Sequence, residues 1–322
     1  MFITELKSLP TEDICLQFGL ANHSFKYLCD CGFASQLTVA DCRDTNAIFV
    51  SHTHIDHFIN FNGIVRHQLA IGRRVIVTGT VGVAKNVQAQ LLSFNWNLLK
   101  YDDQAVSYEI REIDEAGKIN RFLIETPKWE LQDLGELPSA YIYENELFKV
   151  RCALLDHGIK TVAYLFETQE KVSMQMENCP YKGGRWINEL KTAFLAQDWG
   201  KAIVIDANTT RKVSELTPFI QREPTYKMAY VMDFAATEAN REKIVELCAD
   251  VDELFMECYY SSEDMEMAVK NKHSYAAFSA QTAKLARAKR VIPVHFSRRY
   301  HEEAQKQLIL NEFFAHFGEN QP

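Results

Sequence analysis

The stretch "SHTHIDHF", residues 51–58, follows the apolar run "AIFV" and holds three histidines and one aspartate. His52 and His54 lie two apart, so on an extended backbone both imidazoles project to one side and can bind one metal ion. Asp56 and His57 follow after a turn and can hold a second ion. Two adjacent cations suit phosphoryl displacement, because they act on the attacking and the leaving oxygen together. The alternative is a polar, histidine-rich loop without a metal.

Three further residues of the same kind each follow a predicted buried strand. His157 follows "VRCALLD", Asp233 follows "MAYVM" and His295 follows "RVIPV". Polar residues at the carboxyl ends of strands are where α/β folds place their chemistry. With the four side chains of residues 52–57, these three supply enough ligands for two metal ions.

The elements that must position these residues alternate between short β-rich runs and helical patterns. Runs such as "NAIFV", "RRVIVTG" and "FKVRCALL" predict strands, and "VGVAKNVQAQLLSFNW" predicts a helix. The last third predicts helix, strand and helix, and ends in an amphipathic helix from about Tyr300. This order favours an α/β fold with two sheets inside and helices outside, a four-layer αβ/βα sandwich. Because no repeat or linker interrupts the chain, we expect a single domain over residues 1–322.

Composition and charge limit the partners and the cellular location that we expect. A net charge of −8 gives no global attraction to nucleic acid or to anionic membranes, so any RNA binding must come from a local patch. The eight cysteines form no repeated Cys-x-x-Cys pair, which indicates reduced thiols and a cytoplasmic protein. The opening "MFITELKSLPTED" is charged and is not expected to be a signal peptide. No apolar run reaches membrane-spanning length, and we expect no membrane partner.

Longer segments resemble one known family. "DHGIKTVAYLFE", "ADVDELFMECYY" and "KNKHSYAAFSAQTAKLARAKRVIPVHFSRRY" resemble ribonuclease Z, the tRNA 3′-processing endonuclease of the metallo-β-lactamase fold. The resemblance spans roughly residues 29–300 and is most specific in "KHSY" and "HFSRRY". It implies two divalent metal ions, with zinc expected and manganese or iron as alternatives. It assigns the first ion to His52, His54 and His157, the second to Asp56, His57 and His295, and a bridging role to Asp233.

The same resemblance implies catalytic roles. Asp56 would take the proton of the attacking water, His273 would protonate the leaving oxygen, and Glu257 would orient His273. Arg299 would contact the substrate phosphate, since a planar guanidinium suits that role. The alternatives are a surface histidine at a helix start for His273, a structural ion pair for Glu257, and a solvated charge for Arg299. We expect Arg298 to be such a solvated charge.

Several positions depart from the family pattern. Ile55 replaces a glycine, "MDF" replaces Gly-Asp-Thr around the bridging aspartate, and the Leu-Gly-Thr opening is absent. At about 168–190 the chain has only a shortened arm-like insertion, where the family has a long Gly/Pro-rich arm that holds the tRNA elbow. In this arm, Lys182 and Arg185 could touch an RNA backbone or be solvated loop charges.

These observations favour a binuclear-metal phosphodiesterase or endoribonuclease of the ribonuclease Z type, which hydrolyses a phosphodiester with metal-bound hydroxide. Its expected partner is RNA or a small phosphodiester, and the family resemblance implies a homodimer. Two alternatives stay open, because fold does not determine function. One is another hydrolase of this fold that acts on small phosphodiesters, lactones or thioesters. The other is a non-catalytic binding protein.

Overall fold

A computed structural model describes residues 1–10, 12–99 and 105–318. The chain divides into two compact units. The first comprises Met1–Asn145, Lys149–Phe166 and Lys227–Pro322, and the second comprises Glu146–Phe148 and Glu167–Tyr226. No helix among the described residues is long and apolar enough to cross a membrane.

The first unit begins with an eight-stranded sheet whose strands lie in chain order. Its strands are β1 (Phe2–Leu6), β2 (Leu16–Leu20), β3 (Lys26–Cys29), β4 (Thr45–Phe49), β5 (Arg74–Thr80), β6 (Ser107–Ile113), β7 (Ile119–Glu125) and β8 (Leu131–Leu137). The central strands β3 to β6 are parallel, and the pairs toward both edges are antiparallel. Parallel central strands leave their carboxyl ends at one edge of the sheet, where the residues after β4 emerge.

A second sheet has six strands in the order β18-β17-β16-β11-β10-β9. They are β9 (Tyr143–Glu144), β10 (Phe148–Asp156), β11 (Lys160–Thr168), β16 (Lys227–Val231), β17 (Glu253–Glu257) and β18 (Val291–Val294). Strands β16, β17 and β18 are parallel neighbours. Their carboxyl ends therefore meet at one edge, which is where Asp233, Glu257 and His295 are found.

Helices cover the outer face of each sheet. On the eight-stranded sheet they are α1 (Val39–Asp44), α3 (Phe61–Arg66) and α4 (Val83–Leu92), with the short α2 (Ile55–Phe58) between them. On the six-stranded sheet they are α7 (Glu238–Leu247), α8 (Met265–Asn271), α9 (Ala276–Leu285) and α10 (Glu303–Phe317). The predicted closing helix from about Tyr300 is therefore present and begins at Glu303.

Aromatic side chains fill the space between the two sheets. Phe18 of β2 meets Phe166 of β11 with ring centroids 4.7 Å apart, and Phe49 of β4 meets Tyr164 with centroids 5.5 Å apart. All four are fully or almost fully buried. In β4 the neighbouring Ile48 packs on the opposite face against the helices, so the strand is apolar on both sides. Helix, sheet, sheet and helix confirm the predicted four-layer αβ/βα sandwich.

The second unit has a small core of its own. It contains β12 (Lys171–Met174), α5 (Trp186–Leu195), β13 (Ala202–Asp206), β14 (Thr209–Lys212), α6 (Val213–Leu216) and β15 (Ile220–Glu223). Strand β12 pairs with β15 and β13 with β14, both antiparallel. Trp186 and Leu190 of α5 are buried against Ile203 and Leu216. The arm-like segment predicted at 168–190 lies within this unit, and the single-domain organisation over residues 1–322 stays a prediction.

Candidate metal centre

The motif at residues 52–57 leaves the end of β4 at the edge of the eight-stranded sheet. His54 is on extended backbone, its ring centroid lies 4.3 Å from that of His52, and α2 begins directly after it. This single helical turn brings the His57 ring to 4.3 Å from that of His52. The change from strand to turn thus gathers three imidazoles, with Asp56 in the first turn of α2.

The other three predicted ligands follow strands of the second sheet. His157 follows β10, and Gly158 after it has φ +80°, a conformation that favours glycine, as the chain turns into β11. Asp233 and His295 follow β16 and β18, and both have positive φ, 47° and 58°. A non-glycine residue with positive φ costs free energy, and such residues cluster at functional sites.

The structure brings all seven residues together in two neighbouring groups. Each group has ligand atoms within 4.8 Å of one another: one is His52, His54, His157 and Asp233, and the other is Asp56, His57 and His295. Asp233 lies between the groups. Its Oδ2 is 3.5 Å from His52 Nε2, 3.3 Å from His57 Nε2 and 3.5 Å from His157 Nε2, and its Oδ1 is 2.9 Å from His295 Nδ1.

The surrounding hydrogen bonds select the nitrogen that faces Asp233. His57 Nδ1 donates to Asp30 Oδ2 at 2.8 Å, and His157 Nδ1 donates to the Lys272 carbonyl at 2.6 Å. His52 Nδ1 lies 3.1 Å from Ser51 Oγ. Each bond leaves Nε2 directed at the centre, which is how proteins orient imidazole ligands for a metal ion.

Three imidazole nitrogens at the centre have no hydrogen bond to any of the described residues. They are His52 Nε2, His57 Nε2 and His295 Nδ1, and all three are buried. Leaving a buried polar atom unsatisfied is costly, whereas a cation would use the lone pairs of the two Nε2 atoms. Imidazole and carboxylate ligands with buried, unpaired nitrogens therefore fit the two divalent ions that the sequence predicts.

The pKa values of His52 and His54 are lowered, whereas those of His57 and His295 are raised. Burial and the neighbouring His57 lower the pKa of His52 to about 2, and burial and His157 lower the pKa of His54. Burial acts against charge on His295 also, but Asp233 and Asp56 raise its pKa to about 9. His57 is likewise buried, and Asp233 and Asp30 raise its pKa well above its usual value.

Both carboxyl groups of the site are held in their charged form. Burial opposes the charge of Asp56 and Asp233, but His295 and His57 lower the pKa of each below its ordinary value. Before a cation binds, protons on these two imidazoles therefore balance the two carboxylates, and metal ions would replace those protons.

Asp30 and Tyr230 support the site and are absent from the sequence-based prediction. Asp30 is fully buried and accepts from Ser51 N at 2.6 Å, Ser51 Oγ at 2.8 Å and Tyr230 OH at 2.7 Å, besides His57. Its position directly after β3, at the end of "KYLCD", is the one sequence signal that it shares with the predicted ligands.

Gly32 allows the loop after β3 to pack on α2. A Cβ at this position would collide with the carbonyl oxygen of Asp56 and lie 2.5 Å from Asp13 Cβ. Cys31 N also donates to the His57 carbonyl at 2.8 Å. Close backbone packing therefore fixes the turn that carries Asp56 and His57.

His273 and Glu257 form a pair beside the centre. His273 Nδ1 lies 2.6 Å from Glu257 Oε1, and the fully buried Glu257 also accepts from Phe234 N at 2.9 Å. The His273 ring is 4.6 Å from that of His157 and stacks on Tyr259 at 3.7 Å with an interplanar angle of 4°. Because the carboxylate holds Nδ1, the Nε2 atom of His273 is free to act at the site.

The two consecutive arginines have different environments. Arg299 forms an ion pair with Asp264 at 2.9 Å and contacts Met267 Sδ at 3.0 Å. Its guanidinium is therefore bound to Asp264, directly before α8, and to Met267 within α8. Arg298, which we expected to be solvated, is largely exposed but forms an ion pair with the buried Asp13. Together with Asp56 and His295, it lines a cavity of about 220 Å³. Lys182 and Arg185 are exposed in the second unit.

No protein-family model matches this chain. It is 24% identical over 299 residues to ribonuclease Z of Deinococcus radiodurans, covering 88% of this chain and 86% of that protein. Among solved structures, human tRNase Z, short form, superposes with a TM-score of 0.53 at 17% identity, covering 94% of this chain and 95% of the other. The metallo-β-lactamase-fold protein YhfI of Bacillus subtilis gives 0.56 at 11% identity, covering 98% and 93%. The chain therefore has the metallo-β-lactamase fold and is similar in sequence to ribonuclease Z.

Proposed function

We propose that this metallo-β-lactamase-fold chain, similar to ribonuclease Z over most of its length, is a metal-dependent endoribonuclease of that type. The observation that carries the proposal is the convergence of seven imidazole and carboxylate side chains, Asp233 among them, beside the His273–Glu257 pair. A binding protein has no need of a buried carboxylate that orients a histidine next to a metal centre.

Two groups of residues would hold the metal ions. His52, His54 and His157 would bind one ion, Asp56, His57 and His295 the other, and Asp233 both. When bound, the ions would lower the pKa of water and neutralise charge on the phosphate oxygens. Zinc is the proposed metal, because the set is rich in imidazole.

Two side chains would handle protons. The side chain of Asp56 is 34% exposed and is held as a carboxylate, so it can accept the proton of an attacking water. His273 would donate a proton to the leaving oxygen through Nε2, while Glu257 holds Nδ1 and fixes the tautomer. Arg299 would contact the phosphate after its ion pair with Asp264 breaks.

The remaining parts of the proposal concern partner and location. RNA is the proposed substrate, cleaved to leave a 3′-hydroxyl on the upstream product. A homodimer and a cytoplasmic location belong to the same proposal, the second supported by the eight free cysteines.

The test combines metal analysis with product analysis. Zinc-loaded protein is incubated with short single-stranded RNA, bis(p-nitrophenyl) phosphate, a lactone and a thioester. We expect about two zinc ions per chain, RNA cleavage with a 3′-hydroxyl end, and loss of activity on chelation. Hydrolysis of the lactone or thioester alone would favour the other class of hydrolase, and bound zinc without any turnover would favour a binding protein.

A matched pair of variants ties the activity to the centre. Asp233→Ala should lose both ions together, because it removes the carboxylate whose oxygens face candidate ligands of both groups. His316→Ala, which changes an exposed histidine of α10, should keep both ions and full activity. Full zinc occupancy in Asp233→Ala would refute the bridging assignment.

A further inference from the structure

The cavity of about 220 Å³ opens beside the second group of candidate ligands. Asp56 and His295 lie in its wall, and so does Tyr259, whose ring stacks on His273. A phosphate held at the metal centre would therefore have its neighbouring substituent within reach of this cavity. Residues 8–10 and 12–14, between β1 and β2, also line the cavity.

Most of the wall is apolar. The apolar lining residues are Leu6, Leu9, Pro10, Ile14, Pro293, Val294 and Phe296. Apolar walls with a few fixed polar groups are typical of sites for small organic rings.

The polar groups of the wall include three carboxylates, those of Glu12, Asp13 and Asp56. Glu12 Oε2 accepts from Leu9 N at 2.9 Å and from Ser35 N at 3.0 Å, which fixes the carboxylate in the loop. Asp13 accepts from Phe33 N at 3.0 Å and pairs with Arg298, the one lysine or arginine of the lining. Because Asp13 already compensates the charge of Arg298 and Glu12 adds a further carboxylate, the cavity disfavours a second phosphate and favours a neutral group with hydrogen-bond donors.

We propose that this cavity binds the nucleobase next to the phosphate held at the metal centre, and that it favours bases with an exocyclic amine. The apolar walls would contact the ring, and the carboxylates of Glu12 and Asp13 would accept from the amine, as carboxylates do from cytosine N4. This inference rests on the proposed function for the placement of the phosphate.

Equilibrium binding tests the cavity without requiring turnover. Isothermal titration calorimetry of the zinc-loaded protein compares cytidine 5′-monophosphate, uridine 5′-monophosphate and ribose 5-phosphate. Cytidine and uridine monophosphates have the same size and charge and differ at the amine. We expect the cytidine nucleotide to bind about tenfold more tightly than the uridine nucleotide, and ribose 5-phosphate to bind most weakly.

Two variants and one control test whether the nucleobase binds in this cavity. Leu9→Trp, at a side chain that is 44% exposed, fills the cavity and should reduce the affinity for the cytidine nucleotide to that for ribose 5-phosphate. Glu12→Gln should remove the preference for cytidine over uridine. Leu308→Trp adds the same side chain at an exposed leucine of α10 and should leave both preferences unchanged.

The outcomes separate this inference from the proposed function. Equal affinities for all three ligands would overturn the nucleobase site, even if RNA is cleaved. Binding that is tightest for the cytidine nucleotide and weakest for ribose 5-phosphate, with this difference abolished by Leu9→Trp, would support the nucleobase site. This holds even if no phosphodiester is hydrolysed, in which case the proposed activity fails.

Discussion

Asp233 determines the charge balance of the centre. Its two oxygens face His52, His57 and His157 on one side and His295 on the other, at 2.9–3.5 Å. Positive φ at Asp233 and an adjacent amide held by Glu257 fix the carboxylate in this position. The residue therefore links the candidate metal ligands to the His273–Glu257 pair.

The first prediction concerns His273. Replacement by alanine should keep the fold and both metal ions but slow RNA cleavage by about 10²–10⁴, the usual effect of losing a positioned acid or base. The loss should be smaller for bis(p-nitrophenyl) phosphate, because a good leaving group needs no proton. Steady-state kinetics on both substrates measure this difference, with His316→Ala as control. An equal loss on both would exclude His273 as proton donor.

The second prediction concerns pH. The raised pKa values of His57 and His295 mean that both are protonated near neutral pH before metal binding, and metal ions must displace these protons. Zinc affinity should therefore fall as pH falls, by about tenfold per pH unit for each displaced proton. Calorimetry in buffers of different ionisation enthalpy counts the protons released. Zinc affinity that stays constant through the neutral range would contradict this protonation pattern.

At the scale of elements, the one-turn helix α2 positions Asp56 and His57. Helix α2 has only four residues, too few to be stable alone, so its place depends on tertiary contacts. The loop Asp30–Phe33 provides them through Asp30, the Cys31 amide and the close approach at Gly32.

The third prediction tests this contact. Gly32→Ala should destabilise the protein by about 1–3 kcal/mol, because the added methyl has no space and must move α2. Displacing Asp56 and His57 should also lower the affinity for the second metal ion more than the affinity for the first. Gly200→Ala, where a Cβ meets nothing within 4 Å, is the matched control. Thermal unfolding and zinc content measure both effects, and a Gly32→Ala protein with normal stability would show that the loop adapts.

Local patterns predicted the elements that carry the ligands. The buried runs before His52, His157, Asp233 and His295 are β4, β10, β16 and β18, and the predicted helix in "VGVAKNVQAQLLSFNW" is α4. Strand alternation and strand-end polarity are properties of a few neighbouring residues, so one sequence suffices to detect them.

Non-local contacts explain what the sequence did not predict. Asp30 becomes a support for His57 only because residues 27 positions apart meet across the sheet edge. Arg298 meets Asp13 from the opposite end of the chain, whereas Arg299 turns to Asp264. Two adjacent arginines cannot be told apart before these partners are placed, and the cavity beside Asp56 depends on the same long-range packing.

At the scale of the whole molecule, charge limits which RNA can bind. The net charge of −8 opposes an RNA backbone, and the second unit does not compensate, since it has eight lysines and arginines against nine aspartates and glutamates. Phosphate contacts supply most non-specific affinity for nucleic acids and make it dependent on salt. The exposed Lys182 and Arg185 are therefore the candidate contacts in the arm-like segment.

The fourth prediction concerns substrate size. If the shortened segment at 168–190 cannot hold the tRNA elbow, remote binding energy that would position a precursor tRNA is lost, while the chemistry is kept. We expect efficient cleavage of short single-stranded RNA, and weak cleavage of precursor tRNA that falls steeply as salt rises. Cleavage rates of both substrates across a salt series, for the unchanged protein and for Lys182→Ala/Arg185→Ala, measure this. The double variant should lower the rate on precursor tRNA more than on short RNA, because only the longer substrate extends beyond the centre. Tight binding of precursor tRNA at physiological salt, unaffected by the double variant, would show that another surface has taken over the role of the arm.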